Sequence, residues 1–348
     1  MFKGRLSAFS HYARPCSQRA QHGSTPRLQP GIVAAPSPEV AMPDFTCRPA
    51  RPEDMEAAYV VFRRALYDHL FRIKLVTEEE RDDPPIASAW VRQGGWVVHL
   101  WNTAAENWVA VDDGGRVIGW ALSVERDRHL ELAIFFVEPG VQAKGIGRAL
   151  LGHAFPKRDG LHRSILATHD PRALKLYLQT GVGLATTAVD CLVAGGPRTV
   201  ETDLVFEEAE GIGEALALEA QILGFRREVD LAFLKTERRL WIARRGGQAV
   251  GYAFGPPLGG TEEENFPPGP GPMGALREED IPALLDHVLA GGEPGADLAI
   301  TLPMANGVAV RHLLGRGARF DTFFVAVLSD DPNLRLNRYV HTSPQFLL

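Results

Sequence analysis

Cysteine is scarce in this sequence: three in 348 residues, at Cys16, Cys47 and Cys191. The number is odd and no C-x-x-C pair occurs, which argues against a disulfide framework or a structural zinc site. A reducing, cytoplasmic setting fits. No stretch approaches the ~20 apolar residues needed to span a bilayer, so no membrane partner is expected. Positive charge is not in excess either: 37 Lys and Arg face 43 Asp and Glu, for a net charge of −6. Nucleic-acid phosphates call for clustered cations, so no nucleic-acid partner is expected. His153 and His162 follow no metal-ligand spacing, and no metal is expected.

What is present is ordinary globular composition, 45% hydrophobic and 23% charged, in a chain long enough for two domains of about 150 residues. Residues 1–42 stand apart. They carry Lys3, Arg5, Arg14, Arg19 and Arg27 and no acid before Glu39. They read as a disordered extension, a start placed upstream of Met42, or a transit-type leader. Regular patterning begins after Met42 and defines one unit over 43–195. Phe45–Arg48 is a short strand. Arg51-Pro52-Glu53-Asp54 opens a helix whose buried face is Met55, Ala58, Tyr59, Phe62 and Leu66. A charged helical region follows in the seventies and eighties. Strand 107–111, the turn Asp112-Asp113-Gly114-Gly115 and strand 116–124 form a hairpin. Leu130–Val137 is a buried strand, 164–168 another, and Pro171–Gln179 a helix ended by Gly181.

The pattern then recurs. GGRVIGWAL from Gly114 has a twin, GGQAVGYAF, from Gly246, 132 residues on; Asp170, Ala173 and Gly181 correspond to Asn306, Ala309 and Gly317, 136 residues on. Two matches in the same order at nearly one offset indicate internal duplication. Gly195-Gly196-Pro197 reads as the linker, and 207–348 as the second unit.

The chemistry-bearing segment is Val137-Glu-Pro-Gly-Val-Gln142-Ala143-Lys144-Gly145-Ile146-Gly147-Arg148, where a strand feeds a glycine-rich loop and then a helix. The glycines let backbone approach a ligand, and the helix N-terminus offers unpaired amides to an anion. A dinucleotide fingerprint would need a third Gly where Leu150 stands, and a P-loop would need Gly-Lys-Ser/Thr. What remains is Q-x-x-G-x-G. This loop resembles the acetyl-CoA-binding motif of the GNAT acetyltransferase superfamily, and Asp170-Pro-Arg-Ala173-Leu-Lys-Leu-Tyr177-Leu-Gln-Thr-Gly181 resembles its second signature. The resemblance covers about 45–190. It implies a mixed α/β fold, here two tandem GNAT units, each a mostly antiparallel sheet flanked by helices. It also implies that acetyl-CoA is the co-substrate. The amides of Gln142, Ala143, Lys144, Gly145, Ile146, Gly147 and Arg148 would then hold its pyrophosphate. Phe135, Phe136 and Val137 would border the pantetheine arm, with Asp170 and Ala173 on the closing helix. Tyr177 would protonate the departing thiolate. The family usually has Asn where Asp170 stands and Gly-Phe where Gly181-Val182 stands.

An ammonium must lose a proton before it attacks a thioester. Glu131 is the first candidate base, from its place at the start of the strand leading to the loop. A solvated strand-end acid is the competing reading, with Glu125, His129 or a water chain as other bases. Trp90, Trp96 and Trp101 flank the expected acceptor cleft or serve as core. Acceptor choice is expected in variable loops at 67–105 and 182–200. The second unit lacks the Q-x-x-G-x-G loop, places Glu278, Glu279 and Asp280 at a helix start, and has Leu313 where Tyr177 stands, so no transfer is expected there. The expected activity is acetyl transfer to a primary amine of a small molecule or peptide. An acyl-CoA sensor is the alternative, and a longer acyl donor or aminoacyl-tRNA a third reading. A homodimer is compatible with all three.

Overall fold

The computed structural model describes residues 45–142, 145–198, 201–258 and 269–341. Residues 1–42, Ala143 and Lys144 therefore lie outside the described residues. In chain order the elements are β1 (Phe45–Pro49), α1 (Met55–Arg72), α2 (Glu78–Asp82), α3 (Ile86–Asn102), β2 (Ala104–Asp112), β3 (Val117–Arg126), β4 (His129–Val137), α4 (Ile146–Ala154), β5 (His162–Thr168), α5 (Pro171–Gln179) and β6 (Gly183–Ala194). A second set follows: β7 (Val205–Glu208), α6 (Gly213–Leu223), α7 (Glu228–Glu237), β8 (Arg238–Arg245), β9 (Gln248–Pro257), β10 (Met273–Ala275), α8 (Ile281–Ala290), β11 (Asp297–Pro303), α9 (Gly307–Gly315), β12 (Arg319–Ser329) and β13 (Tyr339–Val340).

The two sets run in parallel. β2–β3 and β8–β9 are antiparallel hairpins around the twin glycine turns. α5 and α9 are capped by corresponding residues: Asp170 accepts from the Arg172 amide and Asn306 from the Ala309 amide. Such side-chain acceptors satisfy amides that a helix start leaves unpaired. The region 67–105, expected as loop beyond a charged helix, is largely helical. α3 is 17 residues long, and its apolar stripe of Trp96, Val97 and Leu100 is buried. The two glycines inside it, Gly94 and Gly95, obscure the helical period in the sequence.

The halves are not self-contained. The larger sheet has the order β1-β2-β3-β4-β5-β12-β6-β11. β12, from the second half, lies between β5 and β6, pairing antiparallel with both. β6, from the first half, reaches across to pair with β11 of the second. Each half thus gives its sixth strand to the other, and a boundary at 195 cuts through a shared sheet. The expected linker is packed: the Gly195 amide donates to Ala296 O at 2.8 Å and the Gly196 amide to Leu289 O at 2.9 Å. One core is also common to both halves, joining Phe62, Trp96 and Trp120 to Leu218, Tyr252 and Phe254. Across this interface Asp230 accepts from the Arg126 guanidinium at 2.8 Å, and its other oxygen lies 2.7 Å from His99 Nε2. The opposite face of the first half packs α4 and α5, through Ile146, Leu150 and Tyr177, on Leu130, Leu132 and Ile165.

Candidate active site

The site begins where two parallel strands part. β4 and β5 pair only from His129–His162 to Leu132–Ile165. On its other edge β4 stays paired to β3 as far as Val137, but with a register shift that leaves Ala133 as the extra residue between Leu132 and Ile134. A bulge bends its strand and sharpens the local twist, and here it turns the end of β4 away from β5. β5 meanwhile is held to β12 as far as Thr168. Beyond Leu132 and Ile165 the facing edges of β4 and β5 carry backbone groups with no strand partner between them. Phe135, Phe136 and Val137 lie along this opening, on the wall of a cavity of about 970 Å³.

Above the opening, Gln142 donates from Nε2 to Val137 O at 3.0 Å and folds the loop back on the strand. Gly145 then takes φ +89°, a left-handed value that L side chains adopt at a cost, and starts α4 with no side-chain cap. The first amides of α4, at Ile146, Gly147 and Arg148, are left for an anion. Gly147 is required for closeness: a Cβ there would sit 3.3 Å from Phe135 Cζ. Arg148 is exposed and lines the cavity, whereas the Ile146 side chain is core, so Ile146 offers only its backbone.

α5 closes the other side. Tyr177 is 5% exposed, lines the cavity and meets Phe135 edge to face at 5.6 Å between centroids. Burial, and then the charge of Asp170, raises its pKa above the ordinary tyrosine value, so the phenol keeps its proton. Ala173 lies a turn earlier on the same wall. Asp170 caps α5 and accepts from Arg172 at 2.9 Å and Arg72 at 3.2 Å. Burial pushes its carboxyl up, but hydrogen bonds from the Arg172 side chain and backbone, with the charges of Arg172 and Arg72, leave the pKa lowered. The acid at a site where an amide is usual is thus neutralised by two arginines.

Glu131, the first candidate base, lies away from this cavity. It is 3% exposed, pairs through its backbone with Val124 and Ser164 below the opening, and does not line the cavity. Its carboxylate acts on the Tyr339 hydroxyl of the second half. Strand alternation explains this: the side chain falls on the shared-core face, toward Tyr339 of β13. Glu125 is half-exposed and ion-pairs with Arg158, and His129 is buried against Ser164 Oγ at 2.7 Å. Trp96 lines the cavity, and Trp90 and Trp101 pack on the core.

Further residues line the cavity, three of them, Tyr67, Gln93 and Asp190, within the regions 67–105 and 182–200 expected to bear on acceptor choice. Arg63, Leu66 and Tyr67 of α1, Gln93 of α3, Asp190 of β6, and Asp321 and Phe323 of β12 all face it, as do Glu237 and Leu258 of the second half. Asp190 carried a legible signal: it continues the inward alternation from Ala188, so a carboxylate stands where a core residue is due.

In the second half the matching gap is filled. β13 pairs antiparallel with β10, and on its far side the His341 amide donates to Thr301 O of β11 at 3.2 Å. Asn306, the counterpart of Asp170, donates to Tyr339 O at 3.0 Å and holds this strand down. Leu313, the counterpart of Tyr177, is fully buried.

Residues 71–182 match the model of the acetyltransferase (GNAT) family. No curated protein sequence matches the chain significantly. Among solved structures, a Pyrococcus horikoshii protein assigned as an acetyltransferase is similar over 85% of this chain and 92% of its own, with 15% identity and a TM-score of 0.61. A GCN5-related N-acetyltransferase from Sphaerobacter thermophilus is similar over 86% of this chain and all of its own, at 17% identity and a TM-score of 0.53. These likenesses speak for the fold, and both extend across the two halves. The family match falls on the very strands, loop and helices that build the opening, so residues 71–182 form an acetyltransferase (GNAT) domain.

Proposed function

We propose that the first half transfers an acetyl group from acetyl-CoA to a primary amine by direct attack while both substrates are bound. The observation that carries this reading is the unpaired edge between β4 and β5, which ends at a buried, protonated Tyr177 on one side and a bare helix start on the other. An extended pantetheine arm is shaped to pair with such an edge. The amides of Gln142 and of Gly145 to Arg148 suit the pyrophosphate, with Arg148, Arg172 and Lys175 nearby for the remaining phosphate. Backbone amides along β4 polarise the thioester carbonyl. The neutral amine attacks the carbonyl carbon, the carbon–sulfur bond breaks, and Tyr177 gives its proton to the thiolate. The nitrogen loses two protons in all and sulfur gains one, so each turnover releases one proton.

The second half performs no transfer: β13 fills the gap that an acyl-CoA would need, and Leu313 offers no proton. Its part is to supply β12 and one wall of the acceptor cavity.

The test is thiol release from acetyl-CoA with a panel of amino acids, polyamines, aminoglycosides and peptides, wild type beside Tyr177→Phe. Amine-dependent release slowed about 10-fold or more by the variant, the scale of general-acid catalysis, supports the reading. Tight CoA binding by calorimetry with no release for any amine would replace it with a sensor.

A further inference from the structure

Away from the acyl-CoA elements, the cavity wall carries two features of opposite sign, a guanidinium and a pair of carboxylates, each without an ion-pair partner among the described residues. The first is Arg63. It is 4% exposed and lines the cavity, and its Nε is buried without a partner. Among the described residues its guanidinium makes no hydrogen bond or ion pair; its contacts are the faces of Tyr67 at 5.0 Å and Phe62 at 5.9 Å. Every other guanidinium buried to this degree has oxygen partners: Arg126 has Asp230, Arg163 has Asp330, Arg227 has Glu219, and Arg238 has the carbonyls of Gly255, Gly269 and Gly271. A buried charge without a counter-ion is strongly unfavourable, so a site that keeps one is shaped for an anion that arrives. Acyl-CoA does not meet this need. Its phosphates belong at α4 and α5 on one face of the sheet, while α1 packs on the other, with Phe62 in the shared core.

The second charge is on the exchanged strands. Asp190 of β6 and Asp321 of β12 both line the cavity and lie close enough for the charge of Asp321 to act on Asp190. Asp190 accepts from the Thr301 hydroxyl; Asp321 accepts from the Phe323 amide at 3.0 Å and from Thr322 Oγ1 at 3.3 Å. Neither forms an ion pair with a cationic side chain of the described residues. A cation that enters is therefore drawn to this wall.

Resting on the transferase reading above, we infer that the acceptor is a small amino-carboxylate: Arg63 holds its carboxylate, and Asp190 with Asp321 draws in its ammonium. A guanidinium presents its donors in a fork that matches a carboxylate in two bonds. A purely cationic polyamine would leave Arg63 bare, and a purely anionic ligand would meet the two aspartates.

The experiment uses the full chain with acetyl-CoA and the free L-amino acids singly, each beside its methyl ester, which keeps the amine and removes the anion. The expected result is a kcat/KM at least 30-fold higher for the preferred amino acid than for its ester. Arg63→Met should raise KM for that amino acid at least 30-fold and shrink the preference, and Arg63→Lys should restore part of it. Arg63→Met should also raise the melting temperature of the free protein, since it removes an uncompensated buried charge; a variant that misfolds would lower it, and Arg63→Lys then carries the test. Esters or simple diamines used as well as any free amino acid overturn the inference, as does a preference that survives Arg63→Met. If wild type releases no thiol with any amine, the transferase reading fails on its own. Calorimetric titration of the same amino acids onto the CoA-loaded protein then decides about Arg63: binding lost in Arg63→Met sustains the anion site, and no binding ends it.

Discussion

Arg163 on β5 and Asp330 just beyond β12 are 167 residues apart in sequence, yet the Arg163 amide and Nε both donate to the Asp330 carboxylate, at 2.7 and 2.8 Å. The same guanidinium donates to Thr180 O at 2.8 Å, at the end of α5. The strand that forms one side of the β4–β5 opening, the helix that carries Tyr177 and the strand lent by the second half therefore meet at one side chain. Arg163 is 1% exposed, so removing its acid strands a buried charge. We expect Asp330→Ala to cost about 3 kcal/mol, read as a lower midpoint in urea. A chain cut after residue 200 should fail to fold, because β5 and β6 would each lose the partner between them. A cooperative melt for that fragment would show the halves to be independent.

Gly147 tests the loop. Valine there would press on Phe135 Cζ, which a Cβ alone already reaches at 3.3 Å, and that contact is also the wall beside Tyr177. Gly147→Val should weaken CoA binding by at least 10-fold in calorimetry while the melting temperature changes by only a few degrees. Unchanged affinity would remove the loop from the acyl-CoA site.

Asp190 gives a pH dependence with a defined sign. Burial first, and then the charge of Asp321, raise its pKa to about 6, against the opposing hydrogen bond from Thr301. The carboxylate is thus neutral below pH 6 and charged above it, so KM for the amine should fall as pH rises from 5 to 7. Asp190→Asn should flatten that limb. Because the folded value lies above the unfolded one, the ionised form costs stability above pH 6. Asp190→Asn should therefore melt higher than wild type at pH 8 and equally at pH 4. Glu131→Gln, by contrast, should destabilise the shared core and leave the pH profile of transfer in place.

Three buried histidines set the acid limit. His69, His129 and His341 have pKa values lowered to about 4, 4 and 3, in each case chiefly by burial. Their folded values lie below the unfolded value near 6.5, so their contribution is complete above pH 6.5 and is lost as pH falls toward 4. Thermal melts by circular dichroism at pH 7.5, 5.5 and 4.5 should show a progressive drop. His341→Phe, which removes one proton site beside Tyr339, should lessen it.

The sequence by itself determined every element that has a local cause. The Gly-Gly turns specify both hairpins, Pro171 and the cap at Asp170 specify α5, and the glycines at 145 and 147 mark the tight passage from β4 into α4. The duplication is legible because the hairpin turn and the residue that starts α5 recur at nearly one spacing, 132 and 136 residues on. The tertiary structure alone decided the rest. A strand's partners are not encoded in its own alternation, so the exchange of β6 and β12 is invisible until both halves are folded together. That exchange moves Asp190 and Asp321 into one wall and buries Arg163 on Asp330. It also fixes the surroundings of Glu131: position in the strand recommends it as a base, but the second half covers the face on which it lies. In the same way β13, two residues long, has no pattern to announce that it fills the second gap. A carboxylate's role depends on what packs against it, and here that is chain drawn from more than a hundred residues away.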